Sequence, residues 1–270
     1  PDSVKKVFCT DGLYTDDLFK IFLFFSKKKI KLYVAQHGMH NSLKKIHFEE
    51  KISDYFLSYF KRKKNKKVIP IGIVNKPQMK KIMYCKKNKD IINVFPPIHH
   101  SMFFDEKSIQ QLKKFFYKID NNSFRNSFRF HNLTKKDDFA LFKNGFKNID
   151  FMNNHHNYQK SLFKYRFSIF HYFSTGYLEL MAADFPSILI LNKKNLNTVC
   201  NNGRKLLYKM NKKKLIFFDY KEASDNINYL YNNIEKIWIR KDINNLKNEF
   251  RYIFGFYDKN YLNTLVKYLK

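Results

Sequence analysis

The sequence predicts an α/β protein with two Rossmann-like domains, the first of them incomplete in this chain. Three observations carry that. The stretch Tyr165–Asn192, YRFSIFHYFSTGYLELMAADFPSILILN, reads as strand, polar turn, helix, loop, strand. A unit of that length is a right-handed βαβ crossover in a parallel sheet. Short aromatic and β-branched runs alternate with helical patterns on both sides of a polar, basic segment, residues 75–90. Three of these runs end in polar residues suited to a ligand, and parallel sheets bind ligands off the carboxyl ends of their strands.

Within the βαβ stretch, Tyr165–Tyr172 is rich in aromatic residues and suits a buried strand. Ser174 and Thr175 supply hydroxyls where a helix would begin. Leu178, Met181 and Ala182 fall on one helical face. Asp184-Phe185-Pro186 ends that helix, since the residue before a proline avoids the α region. Ser187–Leu191 is the next strand. Phe173-Ser174-Thr175-Gly176 therefore sits at a strand end and a helix N-terminus. Free N–H groups, the helix dipole and two hydroxyls suit a phosphate there, although the same residues also serve as a plain helix cap. Glu179 lies early in the helix, where it could reach a ribose or simply complement the dipole in solvent.

In the first domain, Val4–Thr10 reads as a strand, Asp11-Gly12 as a turn and Asp16–Phe25 as a helix. Ile30–Ala35 is a strand that runs into Gln36-His37-Gly38, where glycine lets the backbone approach a ligand. A short helix holds Glu49-Glu50-Lys51, Ile52–Leu57 leads into a third strand, and Val68–Ile73 is a fourth. In the second domain the predicted strands are Ile91–Phe95, Ser127–His131, Ile149–Met152 and Leu215–Phe218, besides the two already named. Helices are expected over Ser108–Ile119, capped by Ser108, then Phe139–Asn144, Ala223–Ile239, Asp242–Phe254 and Lys259–Leu269. The domains are placed at 1–78 (acceptor side), 79–257 (donor side) and 258–270, a last helix packing back on the first domain. The chain begins at Pro1 and enters a strand at once, so the gene is expected to extend upstream.

The formal charge of +29 is extreme. Asn, Ile, Phe and Tyr are also abundant, so AT-rich coding explains much of the lysine. Such a surface still attracts polyanions: nucleic acid, anionic lipid or phosphorylated substrates. The Phe and Tyr residues fall at core periodicities rather than as stacking platforms, so nucleic acid is not the expected partner. Cys9, Cys85 and Cys200 are scattered and odd in number, which fits a reducing cytosol. No apolar run reaches the roughly 18 to 20 residues of a membrane span, and no signal peptide is visible. There is no GxGxxG or Walker A pattern, and only seven glycines. His37 and His40, the His99-His100 and His155-His156 doublets and His171 do not assemble a metal set. Adjacent histidines point apart on a strand, and no carboxylate sits at ligand spacing. His171 reads as a core histidine.

The polar strand ends are Gln36-His37-Gly38, Arg129-Phe130-His131, and Ser174-Thr175 with Glu179. His37 could be a general base, since imidazole titrates near neutrality, and spacing alone explains it equally as a turn histidine. Arg129 could clamp a phosphate through its guanidinium. Arg129 and His131 are otherwise ordinary surface residues at a strand end.

These clusters, in this order, resemble the C-terminal half of transferases encoded in bacterial O-antigen and surface-polysaccharide clusters, of the GT-B type. The motifs are Gln36-His37-Gly38 followed by Ile52-Ser53-Asp54, and Ser174-Thr175-Gly176-Tyr177-Leu178-Glu179-Leu180-Met181-Ala182-Ala183-Asp184-Phe185-Pro186. The Arg129-x-His131 element resembles the strand ends of bacterial polyol-phosphate polymerases. Met39 stands where family members carry a second glycine. Ser58-Tyr59-Phe60 stands where they carry Trp-Gly-Trp, a departure on the acceptor side. The resemblance implies a cytoplasmic, metal-independent glycosyltransferase that needs no cofactor and uses a nucleotide-activated sugar and a lipid-linked or glycan acceptor. Ser174, Thr175 and Gly176 would hold the donor phosphates, and Glu179 the ribose. Arg129 and His131 would offset leaving-group charge. His37 would be the catalytic base, flanked by Gln36 and Gly38 in the acceptor-side loop. With the basic surface, it also implies peripheral attachment to the inner face of the cytoplasmic membrane. Two alternatives remain open: a CDP-polyol phosphotransferase of the same fold, and a non-catalytic basic module binding nucleic acid or anionic lipid.

Overall fold

The computed structural model describes residues 4–10, 12–26, 29–38, 48–61, 65–73, 90–96, 106–119, 124–130, 149–151 and 165–269. It divides into two units. The first comprises Pro1–Lys76, Thr198–Lys205 and Asn248–Lys270; the second comprises Pro77–Asn197 and Leu206–Lys247.

The first unit holds a four-stranded sheet of β1 (Lys6–Cys9), β2 (Lys31–Ala35), β3 (Tyr55–Ser58) and β4 (Val68–Pro70), side by side in chain order. Every pairing is parallel. Successive strands are therefore linked by crossovers, which contain α1 (Gly12–Thr15), α2 (Asp17–Ser26) and α3 (Phe48–Ile52). Both sheet faces are buried, as parallel sheets require. Leu32, Val34, Phe56 and Val68 pack with Leu13 and Leu23 on one face. Ala35, Leu57, Ile69 and Ile71 form the other core, against which Leu265 of α9 (Tyr261–Leu269) packs.

The register of β2 is fixed by Asp54, just before β3. Its N–H donates to the Leu32 carbonyl at 3.0 Å, and its carboxylate accepts the Leu32 N–H at 2.8 Å. The Ile-Ser-Asp motif is thus a strand-entry clamp: Ile52 still belongs to α3, and β3 begins at Tyr55.

The chain returns to this unit at its end. Ile73 N–H donates to the Phe256 carbonyl at 2.8 Å and Phe256 N–H to the Tyr59 carbonyl at 2.9 Å. Gly72 has φ +77°, and a Cβ there would lie 2.9 Å from the Phe256 carbonyl oxygen, so only glycine fits. These bonds hold 248–257 in the first unit, where the sequence assigned it to the second domain.

The second unit holds a six-stranded, all-parallel sheet. Its strands are β5 (Asp90–Val94), β6 (Asn126–Arg129), β7 (Ile149–Phe151), β8 (Tyr165–Phe170), β9 (Ser187–Ile190) and β10 (Ile216–Phe217). Their order is β10-β9-β8-β5-β6-β7. Counted from β5, that is the doubly wound order 3-2-1-4-5-6. The chain winds outward to β7, then returns to place β8 on the other side of β5. The crevice beyond the carboxyl ends of β5 and β8 is the switch point where such sheets bind ligands.

Helices α4 (Glu106–Ile119) and α7 (Tyr220–Trp238) pack together in this unit. Helix α5 (Thr175–Ala182) joins β8 to β9. It ends in a Schellman motif: Phe185 N–H donates to the Leu180 carbonyl and Asp184 N–H to the Met181 carbonyl. Asp184 occupies the left-handed position, φ +62°, usually filled by glycine. The strained aspartate, together with Pro186, is what stops the helix.

Several sequence expectations shift. Helix α1 starts at Gly12, where a turn was expected. Ser108 lies inside α4 rather than capping it. Helix α7 begins three residues before Ala223, because the Asp219 carboxylate accepts the N–H groups of Lys221 and Glu222. A helix over Asn201–Lys212 (α6) was not foreseen; α8 is Lys241–Phe254. The 75–89 segment, the 139–144 helix, Cys85, His40, His131 and the His99-His100 and His155-His156 doublets lie outside the described residues. Among the described residues, no helix is long and apolar enough to cross a membrane.

Candidate functional site

The switch point is built from the end of β8 and the start of α5. The backbone of Ser174 is extended (φ −121°, ψ 164°), and its Oγ accepts the Tyr177 N–H at 3.2 Å. It is the N-cap that the sequence pattern indicates. One orphan donor of the first turn is thereby satisfied. Among the described residues, none accepts the N–H groups of Thr175 and Gly176, both half-exposed. They mark the positive end of α5. A Cβ on Gly176 would make only ordinary contacts with Phe170 and Ser174, so neither close packing nor a left-handed backbone demands glycine there.

Tyr172 links this turn to Arg129. Burial raises its hydroxyl pKa, while a hydrogen bond with Ser174 and the positive charge of Arg129 oppose the shift. The guanidinium, at the end of β6, also acts on the buried Tyr165 hydroxyl. In the ladder, Val94 of β5 pairs with Arg129 on one side and Phe170 on the other. Arg129 and Ser174 thus reach the same end of the sheet across one strand. The sequence reading passed over Tyr172 as a strand residue. The signal was its position two residues before the cap, just beyond the strand end.

Glu179 lies one turn into α5 and is half-buried among Tyr177, Leu178, Leu180 and Met181. Burial pushes its carboxyl pKa up to about 7. Among the described residues, its side chain has no hydrogen-bond or ion-pair partner. It is not the freely solvated glutamate of the alternative reading.

Behind the switch point runs a buried polar chain. His171 Nε2 meets Asn93 Oδ1 at 3.2 Å, and its Nδ1 meets the Tyr220 hydroxyl at 3.3 Å. Asn93 Nδ2 donates to Asn126 Oδ1 at 3.2 Å. Because Asn93 Oδ1 can only accept, Nε2 carries the imidazole proton and Nδ1 accepts from Tyr220. Burial depresses the His171 pKa to about 3, so the ring is neutral. It stacks on Phe95 at 4.4 Å. As the sequence indicated, His171 is a core histidine, and its partners fix the ends of β5, β6 and β8 against α7.

In the first unit, Gln36 is buried and works for the fold. Its Nε2 donates to the Gly38 carbonyl at 2.9 Å, and its Oε1 accepts the Tyr59 N–H at 2.8 Å. Gly38 adopts φ +68°, a conformation that favours glycine. Between these two anchors, His37 is exposed at the carboxyl end of β2. Among the described residues the loop presents one imidazole, with Gln36 and Gly38 on either side of it.

The chain matches the description LIC12162 family transferase over residues 1–269. It belongs to that family of transferases. No curated protein matches its sequence. Among solved structures, the transferase is similar to a UDP-GlcNAc 2-epimerase from Neisseria meningitidis bound to UDP-GlcNAc. The TM-score is 0.58 at 11% identity, over 100% of this chain and 76% of that one. It is similar to TarM, with TM-score 0.55 and 12% identity over 98% of this chain and 54% of TarM. It is also similar to an H444N variant of the wall teichoic acid polymerase TagF, with TM-score 0.50 and 12% identity over 90% and 68%. The transferase thus spans about half the length of TarM. At these identities the likeness establishes the fold. The two parallel sheets of Rossmann type are those of GT-B proteins, as the sequence led us to expect.

Proposed function

We propose that this chain contributes the donor site, and part of the acceptor side, of a glycosyltransferase. The enzyme transfers a sugar from a nucleotide-activated donor to a surface-glycan acceptor of the O-antigen or capsule type. One observation carries the reading. At the switch point of a 3-2-1-4-5-6 sheet, a capped helix N-terminus leaves two N–H groups open beside the charge of Arg129. That combination matches a diphosphate. In this reading, Thr175 and Gly176 donate to the phosphates, with the Ser174 and Thr175 hydroxyls nearby. Glu179 accepts from the ribose hydroxyls. Arg129, with His131, offsets the charge that builds on the leaving phosphate. His37 takes the proton of the acceptor hydroxyl. These groups neutralise the leaving group without a cofactor. The structural relative bound to UDP-GlcNAc favours a nucleotide-sugar ligand.

Likeness to a wall teichoic acid polymerase supports a second reading, transfer of a polyol phosphate from a CDP-activated donor. A non-catalytic basic module would instead tolerate loss of all these groups. We place the enzyme in the cytoplasm, peripherally on the inner face of the cytoplasmic membrane, a reading supported by the charge of +29 and suited to a lipid-linked or glycan acceptor. A thermal-shift screen with UDP, CDP, GDP and UDP-GlcNAc tests the proposal. A rise in Tm with UDP-GlcNAc or UDP supports the glycosyl reading, and a rise with CDP alone favours polyol phosphate. No shift with any nucleotide removes the donor site.

A further inference from the structure

From Phe167 to Ser174 every residue is buried except Tyr172, which is half-exposed. Its neighbours on both sides are pinned. His171 N–H donates to the Val94 carbonyl at 3.0 Å, and the His171 ring is held by Asn93 and Tyr220 and stacks on Phe95. The Phe173 ring meets Tyr177 edge-on, with centroids 5.8 Å apart, and Ser174 caps α5. The Tyr172 side chain is therefore presented from a rigid turn just beyond the end of β8, at the switch point.

A strand-end tyrosine ordinarily turns its hydroxyl to water. This hydroxyl is instead bonded to that of Ser174 and feels the charge of Arg129, which reaches the same sheet end from β6. Ser174 Oγ already accepts the Tyr177 N–H. A hydroxyl donates once while it accepts, so Ser174 can give its own proton to the Tyr172 oxygen and keep the cap. Burial raises the Tyr172 pKa from an ordinary value of about 10, so the phenol stays protonated at neutral pH. A neutral phenol beside a guanidinium offers an anion a hydrogen-bond donor next to a fixed positive charge. We propose that Tyr172 is a ligand of the donor diphosphate. Its oxygen keeps the bond from Ser174, and its O–H donates to the distal phosphate, the one whose charge Arg129 offsets. Tyr172 thereby lets the site tell a nucleoside diphosphate from a monophosphate. The inference rests on the proposed donor site and adds the residue that reads its second phosphate.

The test is calorimetric titration of the whole chain, parent and Tyr172→Phe, with UDP, UMP, CDP and CMP. The variant removes one oxygen from a half-exposed side chain, so without nucleotide its melting temperature should lie close to the parent's. With whichever base binds, we expect Tyr172→Phe to hold the diphosphate about tenfold or more weakly, the loss of one hydrogen bond to a charged group. It should bind the monophosphate like the parent, so the ratio of the two affinities falls by the same factor. A hydroxyl that only supports the cap would lower both affinities together, and that result overturns the inference. Diphosphate binding at parental strength overturns it as well. In both cases nucleotide binding by the parent leaves the donor site standing. If the parent binds none of the four nucleotides, the donor site and the Tyr172 inference fall together.

Discussion

Gln36 Oε1 accepts the Tyr59 backbone N–H at 2.8 Å, across 23 residues of sequence. This bond, with the Gln36–Gly38 bond, turns the end of β2 into a rigid platform for His37. Replacing Gln36 by Ala leaves the Tyr59 N–H buried without its acceptor, which should cost about 1 to 3 kcal/mol. Chemical denaturation checks that. Gln36→Glu keeps the acceptor but sets a buried carboxylate against the Gly38 carbonyl, so it should cost at least as much. In a transfer assay, both should lower the rate through a misplaced His37 while leaving nucleotide affinity unchanged.

A second lock holds the far end of α5. Lys247 Nζ, itself buried, lies 2.7 Å from Asp184 Oδ1, 2.8 Å from the Trp238 carbonyl and 4.5 Å from the Trp238 ring centre. Trp238 Nε1 in turn donates to the Asp184 carbonyl at 2.9 Å. Asp184→Gly would relieve the left-handed backbone by about 1 kcal/mol. It would also leave a buried ammonium without its carboxylate, a loss of roughly 3 kcal/mol or more. The net effect in urea denaturation should be destabilising. Lys247→Met, which fills the same space without charge, should be far milder than Lys247→Ala.

The raised pKa of Glu179 sets a pH dependence. Its folded value of about 7 exceeds the ordinary 4.5. The folded protein therefore holds the proton more tightly than the unfolded chain between those values. Stability falls as pH rises through that window and levels off above about 7. Glu179→Gln should melt like the parent near pH 4.5 and at a higher temperature at pH 8, by an amount on the order of 3 kcal/mol. If the ionised carboxylate receives the ribose hydroxyls, nucleotide affinity in the parent should rise from pH 5 to 7 and then level off. The Gln variant should lack that rise.

The β8–α5–β9 unit is legible because each local signal there agrees with the fold: aromatic strand, Ser174 cap, apolar helix face, stop before Pro186. Helix α6 was missed because it opens with Asn201-Asn202-Gly203, which reads as a loop. Its Gly203 is instead a close-packing site, where a Cβ would lie 2.8 Å from the Phe254 ring. The structural role of Gln36 is not legible because its partner is the backbone N–H of Tyr59, just beyond β3, which carries no side-chain signature. The left-handed Asp184 was hidden for the same reason: its partner, Lys247, lies 63 residues away. The Arg129–Tyr172–Ser174 neighbourhood depends on β5 lying between β6 and β8, and only the strand order reveals that.

The account rests on the donor site lying at the N-terminus of α5, and calorimetric titration of UDP and CDP tests it most directly. The proteins to compare are the parent, Glu179→Ala and His37→Ala. Loss of charged hydrogen bonds to the ribose should weaken binding by Glu179→Ala by roughly 1.5 to 3 kcal/mol. His37→Ala should bind the nucleotide like the parent and lose about a hundredfold or more in transfer rate. Full-strength nucleotide binding by Glu179→Ala, or its loss in His37→Ala, would contradict the account.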